Sequence, residues 1–338
     1  MQHPLPRRRG AYFGWKLAAS LAALAFCFFF ALTFGAADTT VQDVWNALFT
    51  SSTEKAVLTI RELRLPRELA AMAVGSALAV AGAAMQGMTR NPLADPGLLG
   101  LTAGANLMLA LTIALFPGVG YIGIMIGCFI GSTIAALLVF GISASRSNRF
   151  SPLRIVLAGA AISALLLAAS EAVSLHFKIT QQVNLWNAGG VIGTTWTQLA
   201  LVTPFIGAGI VAALLLSRQL TVLSMSEEVS AGLGQNTALA KTLLFVVVVL
   251  LTGAAVALVG NMAFVGLLVP HVARAFVGPD YRFVLPVSAI GGAALLLLAD
   301  TFARTVNSPY ETSLTAIVAM LGLPFFLWIV NRKGGAFR

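Results

Sequence analysis

Residues 96–145 read PGLLGLTAGANLMLALTIALFPGVGYIGIMIGCFIGSTIAALLVFGISAS, without one charged side chain. A helix needs about 20 apolar residues to cross the hydrocarbon core of a bilayer. This stretch is too long for one crossing, and the Pro117-Gly118-Val119-Gly120 turn divides it into two. Working outward, residues 17–37 and 69–89 are also free of charge. The pattern predicts an all-α polytopic membrane protein of ten helices. The spans fall at about 17–37, 69–89, 97–116, 121–145, 153–175, 199–217, 242–260, 262–277, 283–303 and 313–331, and residues 1–338 form one transmembrane domain.

Composition agrees. Of 338 residues 58% are apolar and 10% charged, and mean hydropathy is +0.90, whereas a soluble chain carries about a quarter charged residues. Disorder, a secreted disulfide scaffold and a soluble cytosolic enzyme are excluded. The net charge of +9 belongs to loops and not to a nucleic-acid surface. With ten spans, Lys55, Arg61, Arg64, Arg67, Lys178 and Arg304 fall on one side and the remaining fifteen of the 21 basic residues on the other. That asymmetry predicts both termini in the cytoplasm. The basic, then apolar N-terminus reads as a retained span and not as a cleaved signal. Cys27 and Cys128 lie inside apolar runs and read as small buried hydrophobes.

Small residues recur at helical spacing, in Gly123, Gly127 and Gly131 and in Gly75, Ala79, Ala83 and Gly87. Lipid tails give helices little hydrophobic reason to associate, so such stripes read as close packing faces.

The polar residues mark four places. At the start of span 2, Arg61, Arg64 and Arg67 recur every third residue, with Glu62 and Glu68 as surface neutralisers. They fit either a docking surface or solvated edge charges. The loop Arg90-Asn91-Pro92-Leu93-Ala94-Asp95-Pro96-Gly97 reads equally as a rigid corner or a moving joint, with Gln86 inside the bundle. The polar loop 218–241 contains one short amphipathic helix over 221–234. Ser226 is its N-cap, Glu227 and Glu228 stand in its first turn, Leu223, Met225, Val229 and Leu233 are apolar, and Gly234 ends it. Its acidity favours a protein partner over the membrane surface. In the fourth place, Gly266, Pro270, His271 and Arg274, the proline leaves carbonyls for neighbours to satisfy. His271 reads as structural, since no second ligand is nearby. Asp300 and Arg304, four apart, form an intrahelical pair.

There is no G-x-x-x-x-G-K-[ST], no H-E-x-x-H and no nucleophile elbow. The spans lack the chain of acids expected of an ion-driven pump, Glu171 being the main exception. The expectation is a transport subunit that is not itself an enzyme, holds no metal or cofactor, and is powered by another polypeptide.

In these residues the chain resembles the FecCD-type permeases of type II ABC importers for iron-siderophores, haem or cobalamin. The motifs are Arg64-Leu65-Pro66-Arg67, Gly82 with Gln86, and Arg90-Asn91-Pro92-Leu93-Ala94-Asp95-Pro96-Gly97-Leu98-Leu99-Gly100. Later come Phe264-Val265-Gly266-Leu267, Pro270-His271 with Arg274, Gly278-Pro279-Asp280-Tyr281-Arg282, and Ala299-Asp300 with Arg304. The resemblance implies a second permease copy or a homologous one, two cytoplasmic ATPase subunits using ATP and Mg, and one periplasmic binding protein. It implies the bacterial inner membrane and alternating access. Arg64, Arg67 and Arg304 match positions that dock the binding protein. Leu223, Ser226, Glu227, Glu228, Leu233 and Gly234 match the ATPase-coupling segment. Gln86, Asn91, Pro92, Gly266, Pro270, His271 and Arg274 match hinge or structural motifs. The favoured cargo is a ferric siderophore, with haem and then cobalamin behind it. An ATP-independent secondary transporter is the rival class.

Overall fold

The computed structural model describes residues 7–34, 39–50, 52–97, 100–144, 152–308 and 310–334, and among them every regular element is a helix. The long apolar stretches form α1 (Arg7–Thr33), α4 (Leu65–Thr89), α6 (Tyr121–Ala144), α7 (Pro152–His176), α9 (Trp196–Leu215), α12 (Thr237–Val259), α14 (Tyr281–Thr305) and α15 (Leu314–Gly334). Two shorter apolar helices are α5 (Leu101–Leu115) and α13 (Val265–Val277). Between them lie α2 (Val41–Phe49), α3 (Lys55–Thr59), α8 (Thr180–Gly189), α10 (Ser217–Leu223) and α11 (Glu227–Gly232). Among the described residues, seven helices are long and apolar enough to cross a membrane; α5, α13 and the apolar part of α15 are shorter. Leu98, Leu99, Arg146, Arg149, Arg338 and the ends of spans 1 and 4 at 35–37 and 145 lie outside the described residues.

Local chemistry sets the helix ends. Thr40 with Asp43 and Thr195 with Gln198 form capping boxes before α2 and α9. Hydrogen bonds from the Thr40 backbone and hydroxyl hold the Asp43 carboxyl below its ordinary value. Asn236 and Asp280 cap α12 and α14. Pro66 sits in the first turn of α4, where a missing N–H costs little. Gly260 (φ +74°) and Gly278 (φ +88°) end α12 and α13 in backbone that favours glycine.

The axis of the bundle is α4, which packs against α14, α12, α13 and α9. It is small-residue rich, and at two glycines its contacts are backbone to backbone. A Cβ on Gly75 would overlap the Gly292 carbonyl of α14, and one on Gly82 would overlap the Gly266 backbone of α13. On α5 and α6, Gly104 and Gly131 meet in the same way, and Gly127 lies against Thr112. Close approach multiplies weak dispersion contacts where hydrophobicity offers little. Cys27 and Cys128 are buried free thiols.

Two local expectations change. The segment 221–234 is not one helix. It breaks after Leu223 into α10 and α11, because Ser226 adopts extended backbone to cap α11, accepting from the Val229 N–H at 3.1 Å. The arginine-rich edge of span 2 is also not a plain α-helix, since Ile60–Arg64 is a π-helical turn. The loop 90–97 folds back into the bundle. A Cβ on Gly97 would lie 3.2 Å from the Met262 carbonyl, and one on Gly266 would lie 2.9 Å from Asp95 Oδ2.

Gly82→Ala forces the α4 and α13 backbones apart. It should lower stability by roughly 1–3 kcal/mol, as overpacking does. Gly207→Ala on α9, with nothing near its added Cβ, should be neutral or stabilising by up to about 1 kcal/mol. Thermal unfolding in detergent compares them; equal melting points would remove the close-packing argument.

Candidate functional site

At the Leu65 end of α4, three guanidiniums face three carboxylates. Arg67 grips Asp300 with two parallel bonds, Nε to Oδ2 at 3.0 Å and Nη2 to Oδ1 at 2.9 Å, and its Nη1 reaches Glu311 Oε1 at 2.8 Å. Arg304 bonds Glu68 and the Ala31 carbonyl, and its Nε lies 3.2 Å from Asp300 Oδ2. Arg64 donates to the Leu32 carbonyl at 2.8 Å and to Thr39 Oγ1 at 2.6 Å. Helices α1, α4 and α14 and the segment before α15 are thereby tied together.

All three arginines line one open cleft of about 580 Å³, with Glu62, Glu311 and residues 193–197 on its walls. Arg64, Arg304, Glu68 and Asp300 are buried. Glu68 is therefore not a surface neutraliser. It is the inner partner of Arg304, because α14 covers that face of α4. The expected Asp300–Arg304 pair is present, but Asp300 also serves Arg67, and Glu311 completes the set. Nothing in local spacing announces that pairing across 233 positions.

Arg61 departs from this group. Its guanidinium donates to the Ala47 carbonyl at 2.8 Å and the Asn46 carbonyl at 3.1 Å, at the C-terminal end of α2, where a cation suits the helix dipole. The π turn widens the helix and turns the three arginines toward three different partners.

The Thr89 end of α4 carries α10 and α11. Leu223 is buried, while Met225, Val229 and Leu233 are exposed, Leu233 by 67%. Glu228 is also exposed, Glu227 is the first residue of α11, and Gly234 has φ +76°. This patch combines an apolar ridge with acid. It is anchored by Thr221, whose hydroxyl donates to Asp280 Oδ1 at 3.2 Å and accepts from the Tyr281 N–H at 3.0 Å. Partial burial works to raise the Asp280 carboxyl, but bonds from the Arg282 side chain and backbone prevail and hold it low.

Between the two ends lie the remaining motif residues. Gln86 is buried and bonds Gly266 and Arg274. Asn91 Oδ1 accepts from the Leu93 N–H at 3.0 Å, closing a turn over Pro92. The His271 ring packs edge-on against Phe325, centroids 5.7 Å apart. Among the described residues no three His, Cys, Asp or Glu side chains form a group that could hold a metal ion.

The model of the FecCD transport family matches residues 23–332. This chain belongs to the FecCD transport family. Among similar FecCD chains, the iron(3+)-hydroxamate import permease FhuB of Bacillus subtilis is 40% identical over 94% of this chain and 83% of its own length. The hemin transport permease HmuU of Yersinia pestis is 40% identical over 88% and 90%. The Fe(3+) dicitrate permease FecC of Escherichia coli is 38% identical over 81% and 83%. Among solved structures, an inward-facing metal-chelate type ABC transporter superposes with TM-score 0.81 at 26% identity, over 94% of this chain and 99% of that one. The FecCD chain is thus a transport component, a polytopic permease of the ABC-importer kind.

Asp300→Asn leaves Arg67 and Arg304 short of charge in a buried site and should cost about 3–5 kcal/mol. Glu311→Gln removes a partner whose side chain is 30% exposed, so a loss of about 0–1 kcal/mol is expected. Chemical unfolding of the two variants measures the difference, and equal costs would contradict the buried-cluster reading.

Proposed function

We propose that this chain is the transmembrane permease subunit of an ATP-driven importer that carries an iron(III)-siderophore complex into the cytoplasm by alternating access. The observation that carries this reading is the near-full-length similarity to an iron(3+)-hydroxamate permease. In this reading the cleft bearing Arg64, Arg67 and Arg304 receives acidic residues of a binding protein outside the membrane. The α10–α11 patch receives a cytoplasmic ATPase subunit, which alone uses ATP and Mg. Both termini lie in the cytoplasm, in keeping with the charge asymmetry. The haem reading is supported by equal identity to the hemin permease.

The two charged surfaces divide the work. Docked acids at the Leu65 end would exchange with the partly exposed Glu311 for Arg67, so the cleft favours a partner that brings carboxylates of its own. At the Thr89 end, exposed Met225 and Leu233 supply apolar contact and Glu228 supplies charge. A second copy is supported by Glu171, exposed on spanning helix α7. A carboxylate there is costly against hydrocarbon and calls for a partner or a watery pathway.

The test is uptake into proteoliposomes containing this chain with its ATPase and binding protein, offered radiolabelled ferric hydroxamate, ferric citrate, haem and cobalamin with and without internal ATP. ATP-dependent accumulation of a ferric siderophore, at least tenfold over the ATP-free control, is expected. Accumulation of haem alone would transfer the cargo, and equal flux without ATP would overturn the importer reading.

A further inference from the structure

Pro270 stands inside α13 and has no N–H, so the Gly266 carbonyl four residues earlier lacks its helical donor. The missing donor comes from another helix. Gln86 Nε2 of α4 donates to Gly266 O at 2.9 Å and lies 3.4 Å from Leu267 O. The same amide's Oε1 accepts from Arg274 Nη2, one turn beyond the proline. A single buried side chain therefore grips α13 on both sides of its break. At this level α4 and α13 touch backbone to backbone through Gly82 and Gly266, so the amide has no freedom to reach elsewhere.

The rest of α13 is arranged around that break. Its N-cap, Phe264, is a bulky residue at φ +70°, and Gly278 at its far end has φ +88°. A left-handed phenylalanine persists only when its surroundings impose it, and here its ring packs where a Cβ on Gly322 would fall. Beside Gln86 the contacts run on to α10. The Tyr281 ring and Leu220 press together on Gly87 of α4, and the Tyr281 N–H donates to Thr221 Oγ1 of α10.

We propose that Gln86 is a positioning residue that supplies the hydrogen-bond donor missing at Pro270 and, with Arg274, converts displacement of α10 into bending of α13. A carbonyl held by a side chain changes partner without unwinding the helix, and kinks form where the main-chain ladder is already open. The proposal rests on the reading of α10–α11 as the surface that meets the ATPase. It assigns the bend to Pro270 and the grip to one amide.

The experiment is a cycle of Gln86→Met, Pro270→Ala and the double variant, read in two ways. The first reading is the melting temperature of the purified permease in detergent, which needs no partner. Alanine at 270 restores a main-chain N–H, so Gln86→Met should cost at most half as many degrees in the Pro270→Ala background as in the native one. Equal costs would overturn the donor role. The second is uptake per ATP hydrolysed in proteoliposomes with ATPase and binding protein. Pro270→Ala, with a closed ladder that resists bending, should lower this ratio at least tenfold while hydrolysis continues. A native ratio would overturn the hinge, and it needs only the Pro270→Ala protein, so poor folding of Gln86→Met does not shelter the proposal. If the native complex shows no ATP-dependent uptake, the importer reading fails instead, and the melting cycle still decides the donor role.

Discussion

The bundle depends on the contact of one helix face, that of α4, with the backbones of α13 and α14. Glu68, Gly75, Gly82 and Gln86 follow one another by seven, seven and four residues, a spacing that keeps them on one stripe of a helix. The two glycines in the middle remove the side chains that would hold the helices apart. Once the backbones meet there, the carboxylate at one end reaches Arg304 and the amide at the other reaches Gly266 and Arg274. A bilayer supplies little hydrophobic drive between helices, so this contact and its polar ends carry the association.

The polar ends differ in kind. At the Leu65 end, Arg67 and Arg304 share Asp300, Glu68 and Glu311, and removal from water is offset only while each keeps its partners. Such a cluster contributes specificity of arrangement more than stability. It fixes how α1, α4 and α14 sit relative to one another, and it leaves the edges of Arg64, Arg67 and Arg304 on an open cleft. At the Thr89 end the bonds tie one short element, α10, to the bundle. Thr221, Asp280 and Tyr281 hold α10 to the start of α14, and an apolar and acidic surface is left uncovered. The central helix of this FecCD permease thus carries two chemically different surfaces, a charged cleft at one end and an apolar, acidic patch at the other.

Much of this was legible in local sequence, because local physics decides it. Uncharged runs long enough to cross a bilayer, Ser226 as a cap, Pro66 in a first turn and Gly234 after a helix are statements about a few neighbouring residues. The small-residue stripes announced close packing, and the prolines announced broken ladders. Motifs around Arg64, Gln86, Asn91 and Pro270 were enough for the family. The regions that resisted reading were those where neighbours mislead. Arg61, Arg64 and Arg67 look like one face until the π turn separates them, and the 221–234 stretch looks like one helix until its cap interrupts it.

The sequence by itself determined the solvent, the helical class, the approximate helices and the identity of the residues that bear charge, since each follows from transfer free energy and short-range hydrogen bonding. Only the tertiary structure decided which charges meet. Glu68 passes from surface to core because α14 covers it, Asp300 serves Arg67 as well as Arg304, and Gln86 finds the carbonyl that Pro270 leaves open 180 residues away. Partners so far apart are chosen by how backbones pack, and no spacing along the chain encodes that geometry.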